Sequence, residues 1–485
     1  MCGVAGIVDG HPESGNIAVE MSISLEHRGR DACGVAYRDS DNGQIQIIKY
    51  PGRISAAIDT IPFNEMQGKS CIWHNRWPTA GELSEENTQP IEIKTLTKQF
   101  AIAVNGDIIN MPEQVEFLKQ QGIQMCGTLD AEVFGRLIAF YCEQDGINFQ
   151  RNLKQENEDE HLKLFAGAIE KAMRHMKGGY AAVLLTSFFD HLFAIRDPLG
   201  IRPLCLGRID GYPIIASETC AIESAGGEYE RFVKPGEIIA AKGKEIKSIK
   251  TIKSGKSARC VFEYIYFSRP DSKDEDGTTY QEIRKRCGII LAQENTKIKG
   301  AKVVAVPRSG WPAGDGYANE SCIPFSTDLI HQPSVGRTFI IYNIEQRAKA
   351  SSEKYIIPKG SFSGLVVLLI DDSMIRGTTM RELVKKALND GALEIHILLA
   401  SPGYGHPCNF GCDTKDKEAL IYHFCGYNEK KVGQWLGQQA GLTSEQSEKK
   451  IFVHYLSLEG LVAAIGNENE DYYCTYCFNG RDPFK

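Results

Sequence analysis

Three groups of residues have types and spacings that could do chemistry. The first is Cys2, in the opening stretch MCGVAGIVDG. Small second residues allow removal of Met1, and Cys2 then carries a thiol and a free α-amino group together. That sets a nucleophile beside a base whose intrinsic pKa lies near neutrality; the bland alternative is a small buried hydrophobe. The second is LLIDDSMIRGTT, 368–379. Adjacent carboxylates, Asp371 and Asp372, leave an apolar run, and Ser373 through Thr379 supply hydroxyls, a glycine and a run of N–H groups opening a helix. Such a start favours phosphate, and the acids suit ribose hydroxyls or a magnesium ion. An N-cap with solvated acids is the alternative, and the Walker A spacing is absent. The third is CNFGC (Cys408, Cys412) with CTYC (Cys474, Cys477), which read by themselves suggest a four-thiolate zinc site.

The elements that must position these groups change character along the chain. Up to about residue 240, short runs such as VAGIV, QIQIIKY, QFAIAVNG, YAAVLLT and EIIAAK predict strands, and AEVFGRLIAFYCEQ and HLKLFAGAIEKAMRHM predict helices. This is an α+β layered pattern. The acidic stretch QENEDEH between those helices reads as a solvated loop. The lysine-rich AKGKEIKSIKTIKSGKSA reads as an edge hairpin or interdomain connection rather than a nucleic-acid site. From 258 to 465 strands and helices alternate, the clearest unit being GLVVLLI, the acidic turn, the helix TTMRELVKKALNDG and EIHILLA. In that helix Met380, Leu383, Val384, Ala387 and Leu388 share one face and Gly391 is placed to end it. This is a βαβ unit and predicts a parallel sheet, α/β in class, with the acidic turn at its ligand-binding carboxyl edge.

With 42% hydrophobic and 24% charged residues, the composition is that of a soluble globular chain. A formal charge of −7 gives no reason to expect nucleic acid or an anionic membrane as partner. No run approaches the roughly 20 apolar residues of a membrane span, and no signal peptide is evident. A cytoplasmic location is therefore expected, with the fifteen cysteines as free thiols or metal ligands.

VVLLIDDSMIRGTT closely resembles the phosphoribosyl pyrophosphate (PRPP) motif of type I phosphoribosyltransferases. The resemblance implies that Asp371 and Asp372 hold ribose hydroxyls and magnesium, and that Ser373, Arg376, Gly377, Thr378 and Thr379 belong to the cradle of the 5-phosphate. MCGVAGI, LEHRGRDACG, HNRWPTAG, NGDI, TLDAEV, RDPLGIRPL and ASET recur in order through the first 220 residues and resemble the class II glutamine amidotransferases. That family is an N-terminal nucleophile αββα sandwich. The whole chain thus resembles the glutamine PRPP amidotransferases, which make phosphoribosylamine at the start of purine biosynthesis. The implied division is a glutaminase domain over 1–240, a phosphoribosyltransferase domain over 258–465 and a tail over 466–485. Cys2 would attack the glutamine carboxamide, Asn105 and Gly106 would form the oxyanion hole, Arg76 would clamp the α-carboxylate and Asp130 would bind the α-amino group.

The resemblance also implies a lid, RTFIIYNIEQRAKASSEKY, that PRPP closes, activating the thiol and completing an ammonia tunnel. Arg337, Arg347 and Lys354 are its candidates to meet pyrophosphate. One branch of the family carries a [4Fe–4S] cluster, whose ligands map to Cys260, Cys408, Cys474 and Cys477, leaving Cys412 spare. Feedback by purine nucleotides and a homotetramer are implied as well. Two departures stand out: PRSG (307–310) puts Arg308 where an aspartate is usual, and HQPS (331–334) lacks an expected basic, aromatic segment. They motivate the competing readings, a glutaminase whose second domain uses another acceptor or only senses nucleotides.

Overall fold

Alternating apolar and polar side chains, cut by tight turns, fold the first part of the chain into two stacked antiparallel sheets. The structure, a computed structural model, describes residues 1–39, 42–77, 84–94, 99–147, 158–332, 354–466 and 469–485. One sheet runs in the order Glu228–Phe232, Cys205–Ile209, Tyr212–Ala216, Gly3–Ile7, Ser70–Arg76, Ala32–Arg38, Ile45–Pro51. The other runs Glu245–Thr251, Glu237–Lys242, Leu192–Arg196, Gly178–Thr186, Gln99–Ile108, Ile91–Lys94. Asp210 and Gly211, both at positive φ (50° and 85°), make the two-residue turn between Cys205–Ile209 and Tyr212–Ala216.

Val4, Ile72, Ala103, Val183 and Leu192 pack between the sheets. Helix Ser14–Ser24 covers the outer face of the first sheet, and helices Asp130–Gln144 and Glu158–His175 cover the second. The layers are therefore αββα. Glu158–Glu160, expected in a loop, form the first turn of the second of these helices, where acids suit the helix dipole. The lysine-rich stretch is an edge hairpin, so the sheet continues to Thr251, past residue 240. Its lysines face that acidic helix: Lys242 reaches Glu158 and Lys247 reaches Asp159, both at 2.8 Å.

The second part is a five-stranded parallel sheet, ordered Phe325–Ser326, Lys302–Ala305, Val366–Asp371, Glu394–Leu399, Ile451–Tyr455. Helices Tyr280–Glu294, Trp311–Ser321 and Leu458–Ile465 pack on one face, and Thr378–Asn389 and Glu429–Gln439 on the other. In Thr378–Asn389 the predicted stripe Met380, Leu383, Val384 and Ala387 is buried and Leu388 half-buried; the helix stops just before Gly391, at φ 93°. The central strand ends in Asp371, so the acidic turn sits at the sheet's carboxyl edge. The tail returns to pair with the start of this unit: Tyr473–Cys474 lies parallel to Arg259–Cys260, with Cys260 opposite Cys474. No helix among the described residues is long and apolar enough to cross a membrane.

Candidate active site

Strand pairing assembles the first site. Cys2 precedes Gly3–Ile7, and the register Gly3↔Asn75 sets Arg76 of the neighbouring strand beside it. From the facing sheet, the Cys2 backbone N–H donates to Asn105 Oδ1 at 3.2 Å. Asn105 is fully buried, and its Nδ2 has no acceptor among the described residues. A buried amide donor without a partner is costly, and at a reactive thiol it is held ready for charge that arrives during reaction. Gly106 admits no side chain, because a Cβ there would sit 2.3 Å from the Gly179 carbonyl oxygen.

The pocket beside Cys2 is lined by Arg76, Gly106, Asp107, Thr128 and Asp130. Burial lowers the pKa of Arg76. Asp130 opens helix Asp130–Gln144, where its Oδ1 accepts from the Ala131 N–H at 2.8 Å. Burial, then Asp107 and Cys2, push its carboxyl up to about 7, while Lys415 draws it back. The chain's Met1 is itself buried, with its sulfur against Arg202.

A buried ion network ties this site to the second part of the chain. Arg28 Nε donates to the Cys2 carbonyl oxygen at 2.9 Å. Its Nη1 reaches Glu218 Oε1 at 2.5 Å and Glu263 Oε2 at 3.0 Å, and its Nη2 reaches Glu263 Oε1 at 2.8 Å. Although burial pushes both carboxyls up, His27 and Arg28 hold Glu218, and Arg28 holds Glu263, below the usual carboxylate range. Sequence reasoning assigned these three residues no role. Arg28 and Glu218 do lie in stretches it singled out, LEHRGRDACG and ASET, and Glu263 follows Cys260 by three residues.

At the second site Ser309 Oγ donates to Asp371 Oδ1 at 2.9 Å, as does the Asp372 N–H at 2.9 Å, and Ser373 Oγ donates to Asp372 Oδ1 at 2.6 Å. Burial and Asp372 raise the Asp371 carboxyl, and burial lifts Asp372 to about 6. Gly377, at φ 68°, caps Thr378–Asn389, so Thr378 and Thr379 begin that helix. Arg376 Nη2 donates to the Asp413 carbonyl at 3.3 Å. Lys354 feels Asp371, while burial lowers its pKa; His331 is lowered by burial, then by Lys354 and Arg308. Arg308, His331 and Lys354 thus share one electrostatic neighbourhood with Asp371. Arg337, Arg347 and residues 333–334 lie outside the described residues. Magnesium keeps several waters and takes one or two carboxylates together with substrate phosphates, a demand the Asp371–Asp372 pair can meet.

The cysteines converge from three segments. Cys260, Cys408, Cys412, Cys474 and Cys477 are all buried, and Arg202 stands among them. Burial and neighbouring thiols raise Cys474 and Cys477, and burial lifts Cys260 to about 11. A hydrogen bond from Cys412 and, against burial, the charge of Arg202 draw Cys408 down to about 6. Among the described residues no three His, Cys, Asp or Glu side chains are gathered to share one ion. In chemical type, though not gathered round one point, four cysteine thiols are what an iron–sulfur cluster takes as ligands. Cys412, the residue read as spare, hydrogen-bonds to Cys408.

Residues 74–224 match the family model described as a glutamine amidotransferase domain. Amidophosphoribosyltransferase of Archaeoglobus fulgidus is 34% identical over 100% of this chain and 98% of that protein. The Bacillus subtilis protein of that name is 32% identical over 99% of this chain and 94% of its own length. The solved glutamine PRPP amidotransferase from B. subtilis complexed with ADP and GMP superposes with a TM-score of 0.82 at 31% identity, covering 99% of this chain and 97% of that one. A sandwich whose first strand follows Cys2, a parallel sheet whose central strand ends in Asp371 and relatives matched end to end make this chain a member of the amidophosphoribosyltransferase family.

Proposed function

We propose that the chain takes ammonia from glutamine at Cys2 and uses it to displace pyrophosphate from PRPP, giving 5-phosphoribosylamine in the first step of de novo purine biosynthesis. The observation that carries this is the junction of two sites: Arg28 holds the Cys2 carbonyl and, bidentately, Glu263 of the unit whose central strand ends in Asp371 and Asp372. The sandwich, continued to Thr251, and the unit over 258–465, with the tail 466–485, divide the labour.

The Cys2 thiolate attacks the carboxamide carbon. Asn105 Nδ2 and the Gly106 N–H stabilise the oxyanion of the tetrahedral intermediate. Its collapse breaks the C–N bond, and ammonia leaves with a proton carried by the α-amino group freed by loss of Met1. Water then hydrolyses the thioester to glutamate. Arg76 clamps the substrate α-carboxylate and Asp130 its α-ammonium. In the second domain Asp371 and Asp372 hold the ribose hydroxyls, Ser373 and Arg376 to Thr379 cradle the 5-phosphate, and Lys354, with Arg337 and Arg347, meets pyrophosphate. Magnesium bound by the two acids would neutralise the departing pyrophosphate.

Cys260, Cys408, Cys474 and Cys477 would hold a [4Fe–4S] cluster, which would supply a covalent staple between the tail and the second domain. A cytoplasmic homotetramer regulated by purine nucleotides completes the proposal; the complex of the B. subtilis relative with ADP and GMP supports the nucleotide part.

The test is glutamate release by anaerobically purified protein, with and without magnesium-PRPP, counting pyrophosphate in parallel. Stoichiometric glutamate and pyrophosphate, only with both substrates present, is the expected result. Glutamate without pyrophosphate, indifferent to PRPP, would mean that the second domain uses another acceptor or acts as a sensor. A brown absorbing species in the visible spectrum would carry the cluster, and a colourless zinc protein would refute it.

A further inference from the structure

One side chain at the glutamine pocket comes from outside the sandwich. Lys415 lies in the loop after Cys412, and its Nζ stands 3.5 Å from Asp107 Oδ2. Asp107 lines the pocket with Cys2, Arg76 and Asp130.

The loop that carries Lys415 is pinned at the two residues before it. Thr414 is buried, shares a hydrogen bond with the Tyr404 hydroxyl at 2.7 Å and accepts from the Cys408 N–H at 3.1 Å. The Asp413 carbonyl accepts from Arg376 of the phosphate motif. Lys415, between these anchors and the pocket, is presented by a held backbone rather than a free one.

The charges facing Asp130 are few. Cys2 and Asp107 disfavour its ionised form, Lys415 favours it, and Arg76 lines the same pocket. On its own helix Glu132 is occupied by the Cys126 and Gly127 N–H groups and by Arg136. Two adjacent carboxylates at a mouth cannot both stay charged cheaply without a cation.

We propose that Lys415 is a positioning residue of the glutamine site, neutralising Asp107 so that Asp130 keeps the negative charge that holds the substrate's α-ammonium group. This rests on the glutaminase reading above. It makes glutamine affinity depend on the second domain being docked, and links it through Asp413 to the grip of Arg376.

The test compares Lys415→Met, Lys415→Arg and, as a control on the same loop, Lys417→Met in the full chain with saturating magnesium-PRPP. Half-exposed pairs are modest, so Lys415→Met should raise KM for glutamine about two- to fivefold at pH 7 with a much smaller change in kcat. The acid limb of kcat/KM should move to higher pH, and the deficit should close above pH 8. Lys415→Arg should restore the unaltered profile, and Lys417→Met should never leave it. An unshifted acid limb in Lys415→Met, or an equal loss in kcat that arginine fails to rescue, would overturn the inference. If the unaltered chain does not turn over glutamine at all, the functional reading falls first and this inference with it.

Discussion

Asn105→Ala removes a side chain whose two polar ends have opposite consequences. Oδ1 accepts the Cys2 N–H at 3.2 Å, and losing that bond costs about 1 kcal/mol of stability. Nδ2 is buried with no acceptor among the described residues, a burden of about 1–3 kcal/mol that the substitution relieves. The two roughly cancel, so the melting temperature should move by no more than a few degrees, on the order of 2–4 °C per kcal/mol for a domain of this size. Catalysis has no such offset. Loss of one oxyanion donor costs on the order of 2.7–4 kcal/mol, or about 10²–10³ in kcat. The assay pairs PRPP-dependent glutamate release with phosphoribosylamine synthesis from ammonium chloride, plus a thermal melt. Glutamine turnover should collapse while ammonia-dependent synthesis and melting persist. A loss under tenfold, or an equal loss with ammonia, would refute the oxyanion assignment.

Because the Asp130 carboxyl is raised to about 7, kcat/KM for glutamine should climb as pH rises through that value; a profile flat from pH 6 to 8 would remove Asp130 from α-ammonium binding. Glu263→Gln takes one of its two counter-charges from the buried Arg28 and should cost about 3–5 kcal/mol, read by urea unfolding. Glu218 and Glu263 are held below the usual carboxylate range when folded, so their stabilisation is present above the unfolded pKa of about 4.3. It fades as pH falls below that, and melting against pH would show it. Gly106→Ala should abolish glutamine turnover by forcing a Cβ against the Gly179 carbonyl, and full activity there would contradict the strand contact.

The layered classes were legible because burial imposes local periods. The stripe Met380, Leu383, Val384, Ala387 and the apolar run ending at Asp371 announced helix and buried strand without any partner in view. The same locality explains the failure at Glu158–Glu160. Their charge density reads as solvated loop, and their pairing with lysines of a distant hairpin is invisible to a window that short.

Cys2, Asn105, Gly106, Arg76 and Asp130 were nameable from motif order, and so were the acidic turn and four of the cysteines, because each motif is contiguous. Nothing contiguous marks Arg28 with Glu218 and Glu263, separated by 190 and 235 residues, or Lys415 with Asp107. By itself the sequence determined which residues carry reactive groups and which local elements hold them. Only the tertiary structure decided which charges meet, since a buried charge is tolerated only where folding brings its counter-charge, and that pairing depends on distance in space rather than along the chain.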